Sequence, residues 1–163
     1  MTAAEIRPGF DVESLRSVAL GQDPDDVELA ALAVRYFEGS ALGDSGEDDP
    51  SEAVATVRAH RSLARLRVPG QPVTAVLGGG AAGAGAVDPE RVQVLVVTED
   101  MPFLIDSVIA ELSRTGLTVH RVVHPVVVVR RDADGALLEV LTDAEPADPV
   151  SYTHLTLPTI LRV

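Results

Sequence analysis

The first seventy residues carry apolar side chains at the spacing of amphipathic helices. After the run Asp23–Asp26, apolar residues recur at intervals of three and four, at Val27, Ala30, Ala31, Val34 and Phe37. We expect Asp23 to cap this helix and Pro24 to occupy its first position. Residues 1–22 lack such a pattern and are expected to be a flexible lead-in to a helical segment over residues 23–68.

A second helix start follows a polar loop. Asp49-Pro50 repeats the start signal, so we expect Ser51–Arg67 to be helical until Pro69-Gly70 ends the helix. Residues 69–90 are rich in Gly, Ala and Pro and are expected to be a linker that contains one short strand, Val73–Leu77.

Residues 91–142 alternate between the strand period and the helix period. The pattern predicts a β-α-β-β order, because Asp134-Gly135 is a strong hairpin signal between two apolar runs. The four expected elements are a strand over Val92–Val97, a helix over Pro102–Thr115, a strand over Leu117–Arg130 and a strand over Ala136–Leu141.

The helix expected over Pro102–Thr115 has one apolar face. Its apolar arc comprises Met101, Leu104, Ile105, Val108, Ile109 and Leu112, so this face is expected to pack on a sheet. Phe103 falls on the polar side, which indicates contact with something outside the unit. Gly116 is expected to end the helix in the left-handed conformation.

Composition narrows the classes of function. The formal net charge is −12, which argues against nucleic-acid and anionic-membrane partners. No run of 18 apolar residues and no targeting segment is visible, so a cytoplasmic protein is expected. The chain has no cysteine, and all 13 of its basic residues are arginine. Disulfides, thiolate metal sites and lysine-dependent chemistry are therefore excluded within this chain.

The second half of the sequence resembles a known regulatory module. Asp100-x-Pro102, followed by Leu104, Ile105, Val108, Leu112, Gly116 and Leu117 at their spacing, resembles the first β-α-β of an ACT domain. The wider string VTEDMPFLIDSVIAELSRTGLTVHRVVHPVVVVRRDADG (Val97–Gly135) resembles the N-terminal ACT region of the large bacterial NAD-specific glutamate dehydrogenases. The resemblance extends over about residues 25–145 and is strongest over 92–135.

This resemblance implies an α+β protein with a ferredoxin-like ACT domain over residues 91–142. The ACT unit would be truncated, because its second helix and fourth strand are not found. The resemblance also implies a parent enzyme that oxidises glutamate to 2-oxoglutarate with NAD. Its catalytic core lies far downstream, so we expect this fragment to be inactive alone, without catalytic, cofactor-binding or metal-binding residues.

Residues 143–163 are expected to be a tail outside the ACT unit. Ser151–Val163, SYTHLTLPTILRV, departs from the family pattern and resembles the translation of a sequencing adaptor. We hypothesise that the native sequence ends near Val150, with a natural C-terminal strand as the alternative.

The loop Asp100-Met101-Pro102-Phe103 is the candidate effector or interface site. In ACT domains this loop often meets an amino acid, and ligand-binding members usually have Gly after the Pro. Phe103 would fill that space, and Glu99 and Asp100 would repel a carboxylate. We therefore expect a capped helix start whose Phe seals an interface, with effector binding as the alternative.

Several weaker motifs have simpler explanations. Gly78–Gly83 fits the GxGxxG pattern but reaches Pro89 too soon to open a helix, so a linker is expected. His120 and His124 lie about 13 Å apart in an extended strand, too far for one metal ion. The remaining candidates are expected to be ordinary surface or turn residues: His60, His154, Arg58, Arg61, Arg65, Arg130, Arg131 and the acidic turn Asp132-x-Asp134-Gly135.

Three functions remain open from the sequence. The first is a regulatory or assembly fragment of the dehydrogenase, whose partners are the rest of the polypeptide and further copies of it. The second is a free-standing ACT-type protein that binds an amino acid. The third is a nucleotide-binding enzyme that uses Gly78–Gly83.

Overall fold

The chain is α+β. The computed structural model describes residues 12–37, 49–78, 92–119, 121–141, 152–156 and 159–161, the last two ranges as backbone only. These ranges form four helices and seven short strands, and the paired strands are antiparallel. No helix in the described ranges is long and apolar enough to cross a membrane.

The first helix lies where a flexible lead-in was expected. Helix α1 spans Val12–Gln22. Leu15 and Ala19, one turn apart, are completely buried. Packing of this pair against the following helices stabilises α1, although its start has no proline or acidic run of the kind that precedes α2 and α3.

Helix α2 spans Val27–Phe37 and starts later than Asp23 suggested. The Asp26 carboxylate accepts a hydrogen bond from the backbone N–H of Leu29 at 3.0 Å, which is the N-cap role. The Asp23 carboxylate instead accepts from the N–H of Asp25 at 3.3 Å in a local turn. The capping residue is thus the last acid of the run, and the prediction of Asp23 was wrong.

Helix α3 spans Pro50–Leu63, with Asp49 as N-cap and Pro50 in the first turn, as expected. It ends before Arg67, because residues 66–70 leave the helix to meet the hairpin at Ala136. The Asp49 carboxylate accepts from the N–H of Ser51 at 2.8 Å.

Removing this cap should cost a measurable part of the stability. We expect Asp49→Ala to lower the free energy of unfolding by about 1 kcal/mol. Asp49→Asn should retain most of it, because the amide oxygen can accept the same hydrogen bond. Urea denaturation followed by circular dichroism measures both, and equal losses for Ala and Asn would contradict the capping role.

The strands form one sheet with short, interrupted members. The strands are β1 Val73–Gly78, β2 Val92–Glu99, β3 Arg121–Val123, β4 Val126–Arg131, β5 Leu137–Leu141, β6 Tyr152–Thr156 and β7 Thr159–Leu161. Their order is β3-β7-β2-β6-β4-β5, and β1 pairs with the other edge of β2. Strands β3 and β4 flank His124-Pro125, where Pro125 has no N–H to donate.

The order of elements expected for residues 92–141 is present. Strand β2 is followed by helix α4 (Leu104–Arg114), by the divided strand β3/β4 and by β5. The turn between β4 and β5 has Gly135 at a φ of 86°, as the Asp-Gly signal predicted. Helix α4 ends at Gly116, with a φ of 84° and a hydrogen bond from the N–H of Leu117 to the carbonyl of Leu112 at 3.1 Å.

The main core lies between helices α1–α3 and the sheet. It joins buried helix residues to alternate residues of the strands, which are Val97, Val123, Val127 and Val129. The valine side chains of a pleated strand point alternately to its two faces, so this set defines the helix-facing side. With few aromatic residues, the core is built from Leu, Val and Ala around Tyr36.

Helix α4 contributes less to the core than its pattern predicted. Its apolar arc, from Leu104 to Leu112, is half-buried, and its opposite side is exposed. None of its residues is fully buried. The expected face therefore exists, but the described part of the chain covers it incompletely.

The region suspected of foreign origin supplies strands β6 and β7. Strand β6 pairs with β2 and β4, and β7 pairs with β2 and β3. Backbone pairing depends little on which side chains are present, so this placement is compatible with either origin of Ser151–Val163. The DNA sequence of the gene beyond codon 150 tests the hypothesis.

Candidate functional site

The loop between β2 and α4 is an exposed, strained helix start. Phe103 is the N-cap of α4, with φ 62° and ψ 8°, the left-handed conformation that favours glycine. Phe103 is 76% exposed, and Met101 is 47% exposed. A left-handed non-glycine residue costs about 1–2 kcal/mol. Burial of Phe103 within the described chain offsets little of this strain, because most of the residue remains exposed.

The helix start lacks the side-chain cap that was expected. Phe103 makes no capping hydrogen bond through its side chain, although its carbonyl accepts from the N–H of Ser107 at 3.0 Å. The loop therefore offers no side-chain acceptor to the first N–H groups of α4, whereas Asp49 provides one at the start of α3. This part of the interpretation was wrong, whereas the exposed position of Phe103 fits the expected contact outside the unit.

The four predicted residues line one shallow concavity. Asp100, Met101, Pro102 and Phe103 line a space of about 540 Å³, together with Leu104, Ile105, Asp106 and His124. The polar groups are two carboxylates and an imidazole, so the site suits the carboxylate of an amino acid poorly. In the described residues no group of three or more His, Asp or Glu side chains could hold a metal ion.

An ion pair at the end of β2 holds the base of this loop. The Arg67 guanidinium donates from Nη2 to Oε1 of Glu99 at 3.1 Å, and the backbone N–H of Gly70 donates to the same oxygen at 3.1 Å. The hydrogen bond from Arg67, with a smaller contribution from Gly70, lowers the pKa of Glu99. Glu99 stays ionised and directly precedes Asp100.

A second arginine, the part-buried Arg131, lies near Arg67. Arg131 donates from Nη1 to the carbonyl of Gly135 at 2.8 Å and from Nη2 to the carbonyl of Ala64 at 2.7 Å. Burial, and then the nearby charge of Arg67, lower the pKa of Arg131. Local sequence patterns do not predict this pair, because the two residues are far apart in the chain and Arg131 has only the pattern of a residue that borders a hairpin.

His60 of helix α3 is buried and forms hydrogen bonds with helix α2 and strand β2. Its Nε2 lies 2.8 Å from the carbonyl oxygen of Val96 and its Nδ1 lies 2.7 Å from the hydroxyl of Tyr36. Since a carbonyl can only accept, Nε2 carries the proton and Nδ1 accepts from Tyr36. Desolvation lowers the pKa of His60 to about 4, despite an opposing contribution from the Val96 hydrogen bond. His60 is thus a satisfied core histidine.

The other sequence candidates have structural roles or lie outside the described ranges. Arg61 pairs with Asp26 through both guanidinium Nη atoms, which ties α3 to the start of α2 and occupies the centre of the predicted arginine stripe. The Asp132 carboxylate accepts the N–H groups of Asp134 and Ala136, so it shapes the hairpin. Of the sequence candidates, Gly79–Gly83, His120 and the side chain of His154 lie outside the described residues.

Comparisons with known proteins add a family context. The sequence pattern of the family described as "Glutamate dehydrogenase, ACT1 domain" matches residues 32–160. The NAD-specific glutamate dehydrogenase of Halomonas elongata is 45% identical to this chain over 62 residues, and that of Pseudomonas aeruginosa is 42% identical over 62 residues. Each alignment covers 38% of this chain and 4% of the curated relative. No solved structure matches the chain.

Proposed function

Because the chain belongs to the glutamate dehydrogenase ACT1-domain family, we propose that it is the N-terminal regulatory or assembly module of a longer NAD-dependent dehydrogenase. The family resemblance read from Val97–Gly135 is thereby confirmed. In this proposal the parent enzyme oxidises glutamate to 2-oxoglutarate in the cytoplasm. NAD and the chemistry belong to a core in another part of the polypeptide, since the chain offers no lysine to hold glutamate.

The observation that carries the proposal is the conformation of Phe103. A large apolar side chain is held in a left-handed conformation and remains 76% exposed. Such strain persists where the surrounding structure compensates for it, and in the described residues most of the surface of Phe103 is exposed. An interface with another domain or subunit would bury both the ring and the half-buried arc of α4.

The proposed module is a truncated ferredoxin-like ACT unit. Strand β2, helix α4, the divided strand β3/β4 and β5 correspond to its β-α-β-β half. The second helix of a complete unit would be expected to cover more of the sheet. No such helix follows α4 among the described residues, which is consistent with the incomplete burial of α4.

We expect Phe103 to matter for assembly more than for folding. Phe103→Gly should leave the stability of this chain unchanged or raise it by up to about 1 kcal/mol, because glycine adopts the left-handed conformation without strain. The same change in the full-length protein should weaken its subunit or domain association, measured by analytical ultracentrifugation. Leu15→Ala is the matched core control and should destabilise the chain by about 3 kcal/mol. Loss of stability in Phe103→Gly comparable to that control would contradict the proposal.

A free-standing ACT-type protein that binds an amino acid is the alternative. The concavity at Asp100–Phe103 has the location that such binding would use. Its two carboxylates oppose an amino-acid carboxylate, which is why we favour assembly. The gene decides between the two proposals. An open frame of many hundred codons with a lysine-bearing dehydrogenase core supports the module, and a stop codon soon after codon 150 supports the free-standing protein.

A further inference from the structure

The buried Arg67 and the part-buried Arg131 lie close together at the base of the β2–α4 loop, and Arg67 alone contacts the carboxylate of Glu99. Arg67 is 3% exposed and donates to Glu99, whereas Arg131 donates only to the carbonyls of Gly135 and Ala64. Carbonyl oxygens satisfy donors but do not neutralise a charge. In the described residues the ion pair of Arg67 with Glu99 is the one carboxylate contact of this arginine pair, so the part-buried charge of Arg131 has no carboxylate partner there.

Hydrogen-bonding capacity also remains in the pair. The Nε atoms of Arg67 and Arg131 are both buried without a hydrogen-bond partner. A buried unpaired donor on a charged group costs free energy, and native proteins usually satisfy such a donor with an ion or a water. The pair therefore has both the charge and the donors of an anion-binding site.

The Glu99 carboxylate already occupies the accessible side of this site. Its side chain is 43% exposed, and Arg67 and Gly70 bind one of its oxygens as they would bind an oxygen of a free anion. Because Glu99 is tethered, its effective concentration is high, and a free monocarboxylate would not displace it. A group with two negative charges has an advantage, because it can compensate both guanidinium groups at once.

We propose that Arg67, Arg131 and the N–H of Gly70 form an exchangeable site for a phosphate dianion, with Glu99 as its internal competitor. When phosphate binds, its oxygens take the hydrogen bonds from Arg67 and Gly70, and the Glu99 side chain moves into solvent. No covalent bond changes. Glu99 is the last residue of β2, so this exchange would release the base of the Asp100–Phe103 loop.

Phosphate binding can be measured on the chain as it stands. We expect potassium phosphate to raise the melting temperature more than KCl at the same ionic strength. Glu99→Gln removes the competing charge and keeps an amide oxygen for Arg67, so its apparent affinity for phosphate should rise at least tenfold in calorimetric titration. Glu111→Gln is the matched control, because Glu111 forms an exposed pair with Arg114 on α4 and should bind phosphate like the unaltered chain.

Two further arms identify the ligand and the second arginine. If methyl phosphate binds with the same affinity as inorganic phosphate, the ligand is assigned as a phosphate ester. If inorganic phosphate alone binds, the ligand is assigned as the free ion. Arg131→Met should abolish the gain of Glu99→Gln. If that variant does not fold, the comparison of Glu99→Gln with Glu111→Gln still decides. Equal phosphate affinity in these two variants, or no stabilisation beyond that of KCl, would overturn the proposal.

Discussion

Gly135→Ala is expected to be one of the most destabilising single substitutions in the described chain. A Cβ atom built on Gly135 would lie 2.2 Å from the carbonyl oxygen of Arg67, which is backbone and cannot rotate away. Gly135 also has a φ of 86°, which alanine adopts only with strain. The two effects together should lower the free energy of unfolding by about 3 kcal/mol or more.

The loss should be structural and local to the junction of α3 with the hairpin. The N–H of Arg67 donates to the carbonyl of Gly135 at 3.0 Å, so separating the two segments would also break this hydrogen bond. Gly21→Ala in helix α1 is the matched control, because no atom lies within 4 Å of its added Cβ. It should be neutral or stabilising by about 0.5–1 kcal/mol. Urea denaturation that gave similar midpoints for both variants would refute the close approach at Gly135.

Mild acid should destabilise the chain through His60. The pKa of His60 is lowered from 6.5 to about 4 in the folded state. The unfolded chain therefore binds a proton at a higher pH than the folded chain does. The stabilising contribution is fully present above pH 6.5 and is lost as the pH falls towards 4. The shift corresponds to about 3 kcal/mol, as an order of magnitude.

Other groups act in a different pH window. Asp26 and Glu99 have pKa values lowered below their ordinary values of 3.8 and 4.5, chiefly by hydrogen bonds from Arg61 and Arg67. Their contributions are lost as the pH falls below those ordinary values, so the slope between pH 6.5 and 5 belongs to His60.

Chemical denaturation at several pH values should separate His60 from the other histidines. The exposed residue His124 provides a control, and His124→Gln should keep the slope of stability against pH. His60→Gln should flatten that slope. Its amide can donate to the carbonyl of Val96, which gives the variant a chance to fold. An unchanged slope in His60→Gln would show that His60 is not the responsible group.

Local sequence signals predicted those features that depend on neighbouring residues. The Asp49-Pro50 cap, the Asp134-Gly135 hairpin and the end of α4 at Gly116 are all as expected, because each follows from the conformational preference of a few residues. The exposed position of Phe103 also followed from its place on the polar side of α4. These features need no knowledge of the tertiary structure.

Features that depend on distant partners were not predictable in the same way. Helix α1 forms because Leu15 and Ala19 meet other helices, and the burial of His60 requires Tyr36 and Val96 from separate elements. Arg67, in the segment that follows α3, is buried because it contacts Gly135 of the hairpin and Glu99 of β2. A pattern of apolar residues shows which face is available for packing, but it does not show how completely that face is covered, as α4 illustrates.

The position of β6 and β7 has a consequence for how the sheet is made. Both pair on one side with β2, and on the other side with β4 and β3, yet they follow every other strand in sequence. During synthesis the β1–β2 pair and the β4–β5 hairpin emerge first and have no partner along their inner edges. In a chain that carries Ser151–Val163, the sheet can close only when β6 and β7 are inserted between them, so closure is a late, long-range step that we expect to be slow. Until then the valine-rich edges of two half-sheets are open to strands of other chains, and crowded expression should favour aggregation at this stage.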